Sequence, residues 1–197
     1  MIKYAGIEFK NSFIVASSPL TKSIVILKKA DEAGAAGVSI KLTFIKQPFY
    51  GKLRMYNQLK HDSIVCYDRR LDIEEGLELS RRAKKETDLK VFANITSDTG
   101  DLKSWERLAI EYEKAGADLI EANLICPNVG LFTKSISGDG AVDQMEKGGA
   151  VTGQDPIRVR EIISTLKKFV NIPVIAKLTP NVTDIKYYSK SCTGSWG

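Results

Sequence analysis

Four residues of this chain combine reactive chemistry with positions at the ends of apolar runs. Cys126 and Asn123 lie in DLIEANLICP (118–127), Lys177 in PVIAKLT (173–179) and Lys41 in GVSIKL (37–42). A thiol exchanges protons when its setting favours the thiolate. An amide offers both donors and an acceptor to an imide edge. An ammonium stabilises negative charge on a bound ring. Each residue also has a plainer reading. A lone cysteine at a strand end is commonly a small buried thiol, and Lys41 could run its stem along apolar surface to water. Asn94, in KVFANIT (90–96), and Ser17, in FIVASS (13–18), could serve as caps or turn formers.

Runs of this kind, each following a helical pattern and opening into a loop, predict strands of one parallel sheet whose polar ends converge on a crevice. A hairpin is predicted over 1–12 and a first sheet strand over 13–18. A helix over 23–33 follows, with Ile24, Leu27, Lys28 and Ala30 at helical spacing. The next helix spans 73–87 with Ile73, Leu77, Leu79 and Ala83 inward. Asp98 or Asp101 caps a helix to about Lys114 that carries Leu102, Trp105, Leu108, Ile110 and Tyr112. Asp155 caps a helix with Pro156 in its first turn and Val159, Ile162, Ile163, Leu166 and Phe169 on its apolar side. Asn181 or Thr183 caps the last helix. Residues 43–72 show no sustained period, and 126–154 are rich in glycine, so both are expected to be loop excursions.

At 197 residues, 43% hydrophobic and 27% charged, the chain has the composition of one globular domain spanning 1–197. The net charge of +5 is spread over helix faces, and the run Arg81-Arg82-Ala83-Lys84-Lys85 reads as one such face. No nucleic-acid or membrane partner is expected. Cys66, Cys126 and Cys192, with His61 alone, cannot build a zinc site from the usual ligands. Unpaired thiols and the lack of a leader pattern point to the cytoplasm. Two architectures fit the repeating strand-loop-helix unit. A doubly wound open sheet suits the length but lacks the G-x-G-x-x-G fingerprint. A (β/α)8 barrel needs more units than this chain supplies.

The motifs NLICPN (123–128), GGAVTGQDP (148–156) and AKLTPNVTDI (176–185) decide between them. In that order and spacing they resemble the dihydroorotate dehydrogenase and dihydropyrimidine dehydrogenase family, over about Asn11 to Asp184. The resemblance implies an α/β fold, a (β/α)8 TIM barrel of the FMN-linked oxidoreductase type, with only about its first five β/α units in this chain and the C-terminal part missing. It implies FMN as cofactor and a small pyrimidine-type substrate. Cys126 would be the general base that takes the C5 proton while hydride leaves C6 for the flavin. Lys177 and Lys41 would lie against the flavin, Asn94 would reach it, and the backbone at Ala16 and Ser17 would pack on its ring. Asn123 would serve both flavin and substrate, and Asn128 the substrate.

Two departures bear on the substrate. DSIVCYDRRL (62–71) stands where orotate enzymes carry Asn-Ser-Met-Gly-Leu-Pro-Asn, and Ile125 precedes the cysteine where serine is usual. Asn128 is the residue expected of the dihydroorotate branch. The alternatives are a dihydropyrimidine dehydrogenase-type subunit acting on uracil or thymine, and an inactive partial barrel. Expected partners are a second copy of the chain or an iron-sulfur/flavin electron-transfer subunit.

Overall fold

The structure is a computed structural model that describes residues 1–47, 69–98, 100–126 and 148–193, with the backbone alone of 54–58 and 63–67. The chain opens with β1 (Ile2–Tyr4) and β2 (Ile7–Phe9), an antiparallel hairpin. Then come β3 (Ile14–Val15), a 3-10 turn at Pro19–Lys22, α1 (Ile24–Glu32), β4 (Gly37–Ser39), β5 (Thr43–Phe44), β6 (Arg54–Gln58), β7 (Ser63–Tyr67) and β8 (Leu71–Asp72). The remaining elements are α2 (Ile73–Glu86), β9 (Lys90–Ile95), α3 (Leu102–Lys114), β10 (Leu119–Leu124), α4 (Ala150–Gly153), α5 (Pro156–Phe169), β11 (Val174–Leu178) and α6 (Ile185–Thr193).

The main sheet runs β3-β4-β9-β10-β11, parallel throughout and in chain order, with β5 pairing to both β8 and β9. A doubly wound sheet would reverse its order at a switch point. No reversal occurs among these strands, and right-handed crossovers in one winding sense put every helix on one side. Burial agrees. Val38, Val91, Ala93, Ile95, Ile120, Ala122 and Leu124 share one core with Leu27, Leu77, Trp105, Leu108, Ile162 and Leu166 from the helices. Alternate strand residues turn the other way: Phe92 and Leu119 pack with Phe9 and Ala36 in a separate cluster that Ile7 and Ile175 join. The Phe9 and Phe92 rings meet nearly edge-on, centroids 5.9 Å apart. The sheet is therefore a curled half-barrel, with helices outside and the β1-β2 hairpin packed against the inner face near the strands' N-terminal ends.

Two glycines mark where elements touch backbone to backbone. A Cβ on Gly37 would lie 2.9 Å from the Lys90 carbonyl oxygen, across the β4-β9 ladder, and one on Gly153 would run into the Leu124 carbonyl, so α4 lies directly on the end of β10.

Most expected elements form, and the differences have local causes. Asp101 caps α3 by accepting from the Ser104 N–H at 3.0 Å, while the Asp98 carbonyl accepts the Trp105 indole N–H at 3.2 Å. Asp155 caps α5 as expected. Asp184, not Asn181 or Thr183, caps α6: its carboxylate accepts the Lys186 N–H at 2.9 Å. Lys28 and Phe169 do not face the core; Lys28 reaches out to Glu86 and Phe169 is 39% exposed. The aperiodic stretch 43–72 contains β5 and β8, which extend the sheet, and β6 and β7, which pair with each other.

Candidate active site

The inner face changes character along the strands. Near their N-terminal ends it is apolar; toward their C-terminal ends lie Ser39, Asn94, Glu121, Asn123 and Lys177. Registers align Glu121 with Asn94 across β9-β10, and Asn123 with Lys177 across β10-β11. A period of two in each strand sends these side chains to one face.

They form a continuous hydrogen-bonded chain. Lys177 Nζ donates to Glu121 Oε1 at 3.1 Å, and Ser39 Oγ donates to the same oxygen at 3.0 Å. Asn94 Nδ2 donates to Ser39 Oγ at 3.3 Å, and Asn123 Nδ2 donates to Asn94 Oδ1 at 3.0 Å. Asn123 Oδ1 in turn accepts the backbone N–H of Cys126 at 3.1 Å and of Ile125 at 3.3 Å. Thr96 Oγ1 donates to the Asn123 carbonyl at 3.1 Å. The chain thus runs from a cation on β11 to the loop that carries the thiol. Asn94, Asn123 and Glu121 are buried, whereas the Lys177 side chain is 34% exposed and opens the network toward solvent. A buried carboxylate is tolerable because it is paired and hydrogen-bonded on both sides.

Cys126 leaves β10 half-buried against Leu42 and Phe44. Its carbonyl accepts the Ala150 N–H at 3.0 Å, so α4 returns the chain to the point where it left. Its sulfur accepts an N–H from Arg70 Nη2 at 3.7 Å. The cation bonded to the thiol is thus an arginine. Lys41 is buried two residues beyond Ser39, its backbone N–H held by the Thr21 carbonyl at 3.0 Å. Ala16, exposed, and Ser17, half-buried, follow β3 at the neighbouring strand end. Asn128 lies outside the described residues.

The structure thus joins Asn94, Asn123, Lys177 and the Cys126 backbone in one network, and among the described residues Ala16 and Ser17 are not part of it. Three participants escape sequence reading. Glu121 and Ser39 share the two-residue period with Asn123 and Lys41, and that was the available signal. Arg70 lies in the aperiodic stretch and gives none.

The residues fit a flavin. Lys177 Nζ makes one hydrogen bond among the described residues, to Glu121, and its side chain is 34% exposed, so the ammonium keeps N–H groups for a ligand. Such donors match the acceptor edge of an isoalloxazine ring. Among the described residues no group of three metal-ligating side chains occurs, and no helix is long and apolar enough to cross a membrane.

No protein-family model matches the chain. Individual relatives do. The NAD-dependent dihydropyrimidine dehydrogenase subunit PreA of Escherichia coli K12 is 28% identical over 191 residues, covering 93% of this chain and 43% of the relative. The catalytic subunit of dihydroorotate dehydrogenase B (NAD(+)) from Pyrococcus abyssi is 32% identical, covering 92% of this chain and 54% of the relative. The corresponding subunit from Thermoplasma volcanium is 29% identical, with 95% and 56% covered. In fold the chain is similar to 6-hydroxypseudooxynicotine amine oxidase (HisD) of Pseudomonas geniculata N1, at a TM-score of 0.52 and 14% identity over 89% of this chain and 31% of that one. The chain is a homologue of the dihydroorotate dehydrogenase and dihydropyrimidine dehydrogenase family, and it spans about half the length of the curated relatives it matches.

Proposed function

We propose that the chain carries the proton-transfer and ring-binding residues of an FMN-dependent oxidoreductase acting on a pyrimidine ring, working in the cytoplasm. The observation that supports this best is the continuous network from Lys177 through Glu121, Ser39, Asn94 and Asn123 to the backbone of Cys126. Oxidation of a dihydropyrimidine removes a proton from C5 and a hydride from C6, and the C5=C6 double bond forms as they leave; reduction reverses each transfer. FMN, when bound, accepts or returns the hydride. The chain's residues account for the rest. Cys126 Sγ takes the C5 proton. Lys177 and Asn94 offer N–H groups to the acceptor edge of the flavin, Lys41 adds a second cation, and Ala16 and Ser17 border its ring at the end of β3. Asn123 holds the start of the Cys126 loop and, with Asn128, reads the polar edge of the substrate.

The test is anaerobic mixing of the FMN-loaded chain with dihydroorotate or with dihydrouracil, followed by flavin absorbance. Bleaching by dihydroorotate is expected, slowed about 10²–10⁴-fold in Cys126→Ser, the usual worth of a positioned base. A second reading follows from the likeness to the PreA subunit: action on uracil or thymine together with an electron-transfer subunit. Bleaching by dihydrouracil alone would assign it. Loaded flavin that neither compound bleaches would sink both.

A further inference from the structure

Arg70 lies in DSIVCYDRRL (62–71), and its side chain ends on the candidate base. The residue is 8% exposed, and Nη2 stands 3.7 Å from Cys126 Sγ. The sheet builds this meeting. The Leu71 N–H bonds to the Leu42 carbonyl at 3.0 Å, and β8 pairs with β5 in the register Thr43 to Leu71 and Phe44 to Asp72. Leu42 and Phe44 are also the residues against which Cys126 packs. One short run, 42–44, therefore seats the thiol and fixes the backbone beside Arg70. The neighbouring arginine does other work: Arg69 bonds Glu75 at 2.7 Å and Asp72 at 3.2 Å, at the start of α2.

We propose that Arg70 is the positioning residue for Cys126: its guanidinium orients the sulfur and stabilises the negative charge there before a proton is accepted or after one is given up. The proposal rests on the reading of Cys126 as the base. A guanidinium suits the role because it stays charged at every working pH. Hydrogen bonds to an ionised acceptor are about twice as strong as neutral ones.

Site-resolved alkylation by iodoacetamide, read by mass spectrometry on the intact chain, tests it. Cys192 supplies an internal comparison, since burial, opposed by a hydrogen bond from Ser191, pushes that thiol above its ordinary range. At about pH 7.5, Arg70→Gln is expected to slow alkylation of Cys126 about tenfold while Cys192 keeps its rate, and Arg70→Lys is expected to retain most of the parent rate. At about pH 10, where ordinary thiols ionise without help, Arg70→Gln and the parent are expected to agree within about twofold. An unchanged Cys126 rate in Arg70→Gln at the lower pH would overturn the proposal. So would a deficit that persists at the higher pH, which would mark a change in access rather than in charge, and so would an Arg70→Lys variant as slow as Arg70→Gln. The reading beneath it fails separately: substrate bleaching undiminished in Cys126→Ser would remove the base while leaving the alkylation result intact.

Discussion

Glu121 is the residue on which the inner-face network turns, because its carboxylate receives both the Lys177 ammonium and the Ser39 hydroxyl. Removing Lys177 alone leaves a buried carboxylate short of its counter-charge, so Lys177→Met is expected to cost about 1–3 kcal/mol in denaturant unfolding. Glu121→Gln in the same chain is expected to return most of that loss, because the neutral amide needs no cation. Equal and additive losses in the two single variants and the double would show that the pair is not coupled. Asn94, Asn123 and Lys177 were legible in the sequence as polar residues interrupting apolar strands. Glu121 carries the same signal at the same period, but an acid in an apolar strand suggests no single chemistry until its cation is seen across the ladder. Arg70 could not be found this way, since its meeting with Cys126 depends on the pairing of β5 with β8, a contact between short segments that leave no periodic pattern.

At the scale of elements, α4 is what returns the chain to Cys126. Its Gly153 lies so close to the end of β10 that a methyl group would meet the Leu124 carbonyl, whereas a methyl on Gly100 would come no nearer than 3.6 Å to Asp98. Gly153→Ala is expected to lower stability by about 1–3 kcal/mol, the range for forced overpacking against backbone, with Gly100→Ala as the milder comparison. Thermal melts of the two variants check this, and equal midpoints would show that α4 yields without cost. The longer elements were legible because their apolar faces answer to one core: Leu77 and Ala83 on α2, Trp105 and Leu108 on α3, and Val159 and Leu166 on α5 are all buried. The ribbon of β6 and β7 was not legible. Its residues 54–58 and 63–67 show no sustained period, and β5 and β8, two residues each, are shorter than any periodic signal.

At the scale of the whole molecule, length alone favoured an open sheet, and the order of the strands shows otherwise: they follow the chain without a reversal, so all helices fall outside and the polar strand ends inside. Local pattern cannot carry this distinction, because both architectures repeat the same unit. Asp31 ties three regions of this frame together, accepting the Asp88 N–H at 2.9 Å and the Lys10 ammonium at 3.1 Å. The Asp88 N–H, opposed by partial burial and aided by Lys10, holds its carboxyl below the ordinary 3.8. A carboxyl depressed in the folded state stabilises fully above its unfolded value, and that contribution is lost as pH falls through the folded one. Asp31→Asn is therefore expected to lower stability by about 1 kcal/mol at neutral pH and to match the parent in strong acid. Denaturant melts at the two pH values check it, and a difference independent of pH would contradict it.

Titration of FMN into the purified chain, followed by flavin fluorescence, tests most directly the proposal that the polar inner face from Lys177 to Asn123 is a flavin cradle. The expected result is saturable quenching that is weakened at least about tenfold, or about 1.4 kcal/mol, when Lys177→Met and Glu121→Gln are combined. A folded chain, shown by circular dichroism, whose addition leaves FMN fluorescence without a saturable change would contradict it.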